Sequence, residues 1–188
     1  AYMNQTATAP AGEVAILGGG CFWCLEAVFA EVDGVLEVCS GYAGGHTDAP
    51  AYDEVCRGDS GHAEVVRVVF DPLRISYREV LEIFFAIHDP TTLNRQGNDV
   101  GTQYRSVIFT TSATQDASAR ALIEEIADDR LFHAAIVTAV EPAPRFWAAE
   151  AEHHQYYARN PGQAYCQYVV APKMAKFRER FAARRRRG

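Results

Sequence analysis

The chain has 188 residues, 48% hydrophobic and 22% charged, with a formal net charge of −6. That length fits one domain with a real core, and that composition excludes a disordered chain. No apolar run reaches the ~20 residues of a membrane-spanning helix, and the one basic run, Arg184–Arg187, is too short and terminal to argue for nucleic-acid binding.

Residues 1–12 are read as a flexible N-terminal segment, without the basic start and apolar stretch of an intact secretory signal. "EVAILGG" from Glu13 predicts a buried strand ended by glycine. Leu25, Val28, Phe29 and Val32 then repeat at helical spacing until Gly34. "VLEVCS" is the second strand, and Gly41 to Gly61 follow without a period. "AEVVRVVF", Ala63 to Phe70, is the third strand. Ser76 and Glu79 form a capping-box pattern opening a helix that Asp89-Pro90 stops. A second irregular stretch, Thr91 to Arg105, leads to "SVIFT". Ser112 and Gln115 cap a further helix to about Asp129, "AIVTAVEP" is a strand, "AAEAEHHQYY" a helix, and a last helix starts at Pro172.

The order β-α-β-β-α-β predicts an α+β fold: a two-layer sandwich with a ferredoxin-like split βαβ core, extra C-terminal helices and long functional loops. One domain is expected over 13–181, followed by a basic tail, 182–188, of the kind that is usually solvated and frayed.

Five cysteines are an odd number in a chain long enough to need no disulfide scaffold, so reactive thiols are expected instead of structural bridges. "GGGCFWCLEA" places Cys21 at the N-terminus of the first helix. Unsatisfied N–H groups and the helix dipole there favour an anion and predict a thiol pKa below ~8.5. The glycines before it suggest a turn that a substrate approaches closely. Cys24 lies one turn on, which leaves a thioredoxin-like pair, half a zinc site, or a nucleophile with a helper thiol. The aromatic pair Phe22–Trp23 and the chain length weaken the first, and the lack of a second ligand pair weakens the second. The loops supply Tyr52, Glu54, Asp59 and His62, then Asp99, Gln103 and Tyr104. Glu64, opening a strand among apolar neighbours, is expected to have a raised pKa and act as a proton donor. Together these groups suit attack on a polar oxidised centre that bears an apolar substituent.

The strings "GCFWCLEAVF", "GYAGG", "YDEVCRGDSGHAEVVRVVFDP", "HDPTTLNRQGNDVGTQYRS" and "NPGQAYC" resemble the A-type peptide methionine-S-sulfoxide reductases, from about Glu13 to Phe181. "FWAAEAEHHQYY" fits the same family's late helix. The resemblance implies that 13–181 is a catalytic domain and that Cys21 attacks the sulfur of an S-configured methionine sulfoxide, free or protein-bound. It implies Glu64 as the acid, Tyr52 and Tyr104 as hydroxyls holding the oxygen, Asp99 as a second carboxyl, and Phe22 and Trp23 as the methyl pocket. Cys21 would be left as a sulfenic acid, resolved by Cys166 or by Cys24, with Cys166 expected first and Cys24 as competitor or second relay. Most members carry Gly where Cys24 stands. Thioredoxin or another dithiol would be the reductant, with no metal or organic cofactor. A cytoplasmic monomer, binding neither nucleic acid nor membrane, is expected. Cys39 and Cys56 are read as packed or spare thiols, and at most one of His153 and His154 is expected near the site.

Overall fold

A computed structural model of the chain describes residues 12–187, so the segment expected to be flexible lies, Gly12 apart, outside the described residues. The strands are β1 (Glu13–Gly18), β2 (Val35–Ala43), β3 (Ala63–Phe70), β4 (Arg95–Gln96), β5 (Asp99–Val100), β6 (Val107–Thr110), β7 (Ala139–Pro142) and β8 (Trp147–Ala148). The helices are α1 (Phe22–Phe29), α2 (Tyr52–Cys56), α3 (Tyr77–Ala86), α4 (Ala113–Asp128), α5 (Tyr156–Arg159) and α6 (Ala171–Arg180).

The main sheet has the order β7-β6-β1-β3-β2-β8. Its inner four strands pair antiparallel throughout, so α1 links two strands of like direction on either side of β3, and α3 links two on either side of β1. This is the split βαβ core expected from the element order. β7 extends it parallel to β6, and β8 extends it antiparallel to β2.

Both central strands are buried on both faces, which is why they read as near-continuous apolar runs. Leu17, Val66, Val68 and Phe70 pack with Leu25, Phe29, Val80, Phe84, Leu122 and Phe177 on the helical side. Ile16, Val65, Val69 and Phe109 pack on the other, against Phe146. Period-two alternation therefore puts Glu64 on the helical face with Val66 and Val68.

The capping box is formed: Glu79 N–H donates to Ser76 Oγ (3.1 Å) and Ser76 N–H to Glu79 Oε1 (3.0 Å). Three expectations are corrected. "AAEAEHHQYY" is not one helix but a 3-10 turn (Ala151–His153), a left-handed Gln155 (φ 53°) and the single turn α5. Long-range bonds explain this: the Gln155 N–H donates to the Glu26 carboxylate on α1 (2.6 Å), and the Tyr52 N–H donates to Glu150 (2.9 Å). The strand after α4 starts at Ala139, four residues later than its apolar run. The basic tail is docked, not frayed: Asp33 N–H donates to Arg184 O (2.7 Å) and Arg186 N–H to Glu31 O (2.6 Å).

Candidate active site

The turn between β1 and α1 presents Cys21, whose backbone is extended (φ −62°, ψ 129°) and caps the helix. The glycines before it are closely packed by the protein's own atoms on the side where a Cβ would stand. A side chain on Gly18 would meet Val107, one on Gly19 would meet Phe84 and His88, and Gly20 (φ +96°) faces Gln96. The triplet lets this protein's own β6, α3 and β4 close on the turn.

Glu64 lies beneath the first turn of α1. Its Oε1 accepts from the Phe22 N–H (3.1 Å), while its Oε2 is buried with no hydrogen-bond partner among the described residues. Burial raises this carboxyl to about 8, with the Phe22 N–H acting against the shift and Asp99 adding to it. At neutral pH the acid is therefore mostly protonated, as expected from its sequence setting.

Cys21 departs from expectation. It is buried, and its thiol is pushed well above the ordinary value, first by burial, then by the charge of Glu64, then by Cys24. The Trp23 N–H and the Tyr165 hydroxyl act in the opposite direction, so the helix terminus does favour the thiolate but is outweighed.

Tyr52, opening α2, and Tyr104, in a 3-10 turn (Thr102–Tyr104), are both held protonated, chiefly by burial. Both lie in the fields of Glu64 and Cys21. Asp99 accepts a hydrogen bond from the Tyr165 hydroxyl at 2.6 Å. Phe22 is fully buried, its ring beside those of Tyr42, Tyr52 and His153. Trp23 is half-buried, stacked on Tyr156 at 3.8 Å, and donates from Nε1 to His153 Nδ1 (3.2 Å). Of the expected residues, Cys21 and Asp99 open onto a cleft of about 620 Å³ between Gln96–Asp99 and Ala164–Lys173, while His62 is instead bonded to Gly45 and Thr47 in the loop after β2.

All five cysteines are free. Cys24, one turn along α1 with its N–H on Cys21 O (3.1 Å), is buried and raised to about 11. Burial is the main cause; Lys173 opposes it, and Asp99, Glu64 and Cys166 add to it. Cys166 is buried in a π-helical turn (Cys166–Val170) that runs into α6, and its thiol is raised by burial.

Sequence reasoning missed Tyr165, which joins Asp99 to Cys21 from the residue before Cys166. It also missed Glu150, whose carboxylate accepts from the Tyr42 hydroxyl and the Tyr52 N–H (2.9 Å each). The pair His153–His154 held the signal for one of them: His153 is at the site, and His154 lies 3.7 Å from Glu26. Among the described residues, the close group of metal-capable side chains is Glu150, Glu152 and His153. It contains no cysteine, and its Glu150 oxygens and His153 Nδ1 already accept hydrogen bonds.

The sequence model of the family described as "Peptide methionine sulfoxide reductase" matches residues 13–185. "Peptide methionine sulfoxide reductase MsrA" of Chromobacterium violaceum is 59% identical over 170 residues, covering 90% of this chain and 97% of that protein. The reduced form of Mxr1 from Saccharomyces cerevisiae superposes with a TM-score of 0.77 at 35% identity, over 84% of this chain and 91% of that one. Mxr1 in complex with Trx2 is also similar, with a TM-score of 0.54 and 25% identity over 79% and 86% of the two chains. The Cys-x-x-Cys motif accordingly stands in neither a thioredoxin domain nor a zinc-finger fold: the chain belongs to the peptide methionine sulfoxide reductases of the A type, a family of oxidoreductases.

Proposed function

We propose that the chain reduces the S epimer of methionine sulfoxide, free or in oxidised proteins, through a sulfenic acid on Cys21. The observation that carries this reading is the buried pairing of Cys21 with Glu64, a carboxyl raised to about 8 and held by the Phe22 N–H. The site removes one proton from this pair most easily at Glu64, yet the reactive arrangement is the other one, a Cys21 thiolate beside a protonated Glu64. Substrate oxygen accepting from Glu64 Oε2–H and from the Tyr52 and Tyr104 hydroxyls favours that arrangement. The thiolate attacks the sulfoxide sulfur to form an S–S bond and the oxygen takes the Glu64 proton; as that oxygen moves to the Cys21 sulfur, the S–S bond and the substrate S–O bond break, leaving Cys21 as S–OH and releasing methionine. Phe22 and Trp23 offer the aromatic faces on which a methyl next to sulfur packs favourably, and Asp99 steadies the cleft through Tyr165.

A second thiol then displaces the sulfenic oxygen as water, giving a disulfide; Cys24 and Cys166 are the candidates. Thioredoxin or an equivalent dithiol takes that disulfide and restores the thiols, a role supported by the yeast relative's solved complex with Trx2. No metal or organic cofactor enters any step. Five unpaired cysteines suit the cytoplasm, where thioredoxin keeps thiols reduced. No described helix is long and apolar enough to cross a membrane. A monomer suffices, since every proposed group comes from one chain.

Replacing Cys21 by Ser is expected to abolish thioredoxin-dependent methionine formation from the S-sulfoxide, and the unaltered chain is expected to leave the R-sulfoxide untouched. Turnover by the Cys21→Ser variant, followed by methionine release, would overturn the assignment.

A further inference from the structure

The cleft beside Cys21 has a cationic wall that the reduction step does not use. Lys173 lines it together with Cys21, Asp99 and Tyr165. It sits on α6, continuous with the π-helical turn that carries Cys166, and that segment packs across α1, which carries Cys24. Among the described residues Lys173 makes no ion pair or hydrogen bond, and the nearby Asp99 already accepts from Tyr165. A second buried group within its field is His88, whose Nδ1 and Nε2 are taken by Phe84 O and Ser106 Oγ and which burial keeps neutral, at about 4. The groups whose charge acts on Cys24 are Lys173 from α6, Cys166 from the turn before it, Asp99 from β5 and Glu64 from β3, and Cys24 in turn acts on Cys21 at the cap of its helix. Lys173 alone among them is positive.

We infer that Lys173 is a positioning residue of disulfide formation: it supplies the positive charge that eases formation of the Cys24 thiolate for attack on the Cys21 sulfenic acid, before Cys166 takes part. The inference rests on the reductase reading, since that reaction supplies the sulfenic acid. In the step, the Cys24 sulfur bonds to the Cys21 sulfur, the S–O bond breaks, and the oxygen leaves as water after taking a proton. Cys166 then attacks Cys24, the Cys21–Cys24 bond breaks, and Cys21 is released as the thiolate, leaving Cys24–Cys166 for an external dithiol. Without a cation, a thiol this deeply buried among carboxylates is a poor attacker. Each unit by which its pKa falls raises the thiolate fraction about tenfold and lowers intrinsic nucleophilicity about threefold, for a net gain of about threefold.

The test is a single turnover of the reduced chain with methionine sulfoxide, quenched with an alkylating agent. Disulfides are mapped by mass and counted per methionine released, so any unfolded fraction drops out. In the full chain the first bridge is expected to be Cys21–Cys24. In a Cys166→Ser background its rate is expected to stay within about twofold for Lys173→Arg, and to fall about threefold for Lys173→Met and further for Lys173→Glu. The pH midpoint for alkylation of Cys24 should rise in the same order. Met keeps the aliphatic stem, so a packing role would not rank the variants by charge. A first bridge between Cys21 and Cys166, or equal rates across the three substitutions, overturns the role of Lys173. Absence of methionine in the unaltered chain overturns the reductase reading and, with it, this step.

Discussion

At Glu64 the proposed acid role and the protein's stability depend on one buried carboxyl. A carboxyl whose folded pKa is about 8, against an ordinary 4.5, contributes fully to stability below pH 4.5 and loses that contribution as pH rises through 8. Glu64→Gln keeps an acceptor for the Phe22 N–H and cannot ionise. The variant is therefore expected to match the native stability near pH 4 and exceed it by roughly 3–5 kcal/mol at pH 8 and above, read by denaturant unfolding at both pH values. The same change is expected to slow sulfoxide reduction by about 10²- to 10⁴-fold, the usual worth of a general acid. In the native chain the rate of reduction should rise as pH approaches about 8, where the Cys21–Glu64 pair loses its first proton, and decline only at higher pH, where the pair loses its second. A variant that gains stability at pH 8 but reduces sulfoxide at the native rate would leave Glu64 a buried acid without a role. The type and raised pKa of this residue were legible in the sequence because alternation along "AEVVRVVF" buries it. The opposite shift at Cys21 was not legible: the helix terminus is a local feature, whereas the burial and the Glu64 charge that outweigh it come from across the fold.

The same division separates the elements. β3 and the start of α3 follow local rules, an apolar β-branched run and a reciprocal capping box, and both stand where the sequence puts them. Ser76→Ala removes the acceptor for the Glu79 N–H and is expected to cost about 1 kcal/mol, or a drop of about 2–4 °C in Tm for a chain of this length. An unchanged Tm would mean that packing of Val80, Leu81 and Phe84 alone fixes the helix start. The stretch Ala148–Tyr157 has helix-forming composition yet does not form one helix, because its backbone and side chains are bonded to groups more than 90 residues away. Glu150 serves Tyr42 and Tyr52, His153 takes the Trp23 N–H, and Gln155 is fixed by Glu26. Intrinsic propensity amounts to only tenths of a kcal/mol per residue, less than one satisfied buried polar group. The site needs that segment irregular, since a continuous helix would not bring Glu150 and His153 to the same aromatic cage.

Over the whole molecule, the last quarter of the chain closes around what the first quarter begins. From Tyr165 on Asp99 it passes through Cys166 and α6 across α1, and ends against the turn that leaves α1, where Arg185 bridges to Val32 and Arg178 pairs with Glu31. Arg184 and Glu79 join the end to α3. These ion pairs are partly exposed and each stabilises by less than ~1 kcal/mol. The two backbone bonds, Asp33 N–H to Arg184 O and Arg186 N–H to Glu31 O, carry more, about 0.5–1.5 kcal/mol each. Deleting Ala182–Gly188 is therefore expected to cost roughly 1–3 kcal/mol, and to lower Tm by about 2–10 °C in calorimetry. The loss has a directional consequence, because α6 is anchored at its far end by this tail and at its near end by the turn holding Cys166. A looser α6 should slow formation of the Cys24–Cys166 bridge more than release of methionine, which depends on β1, α1 and β3. Equal slowing of both steps in the truncated chain would mean that the tail stabilises the domain as one unit, and an unchanged Tm would mean that its docking adds nothing.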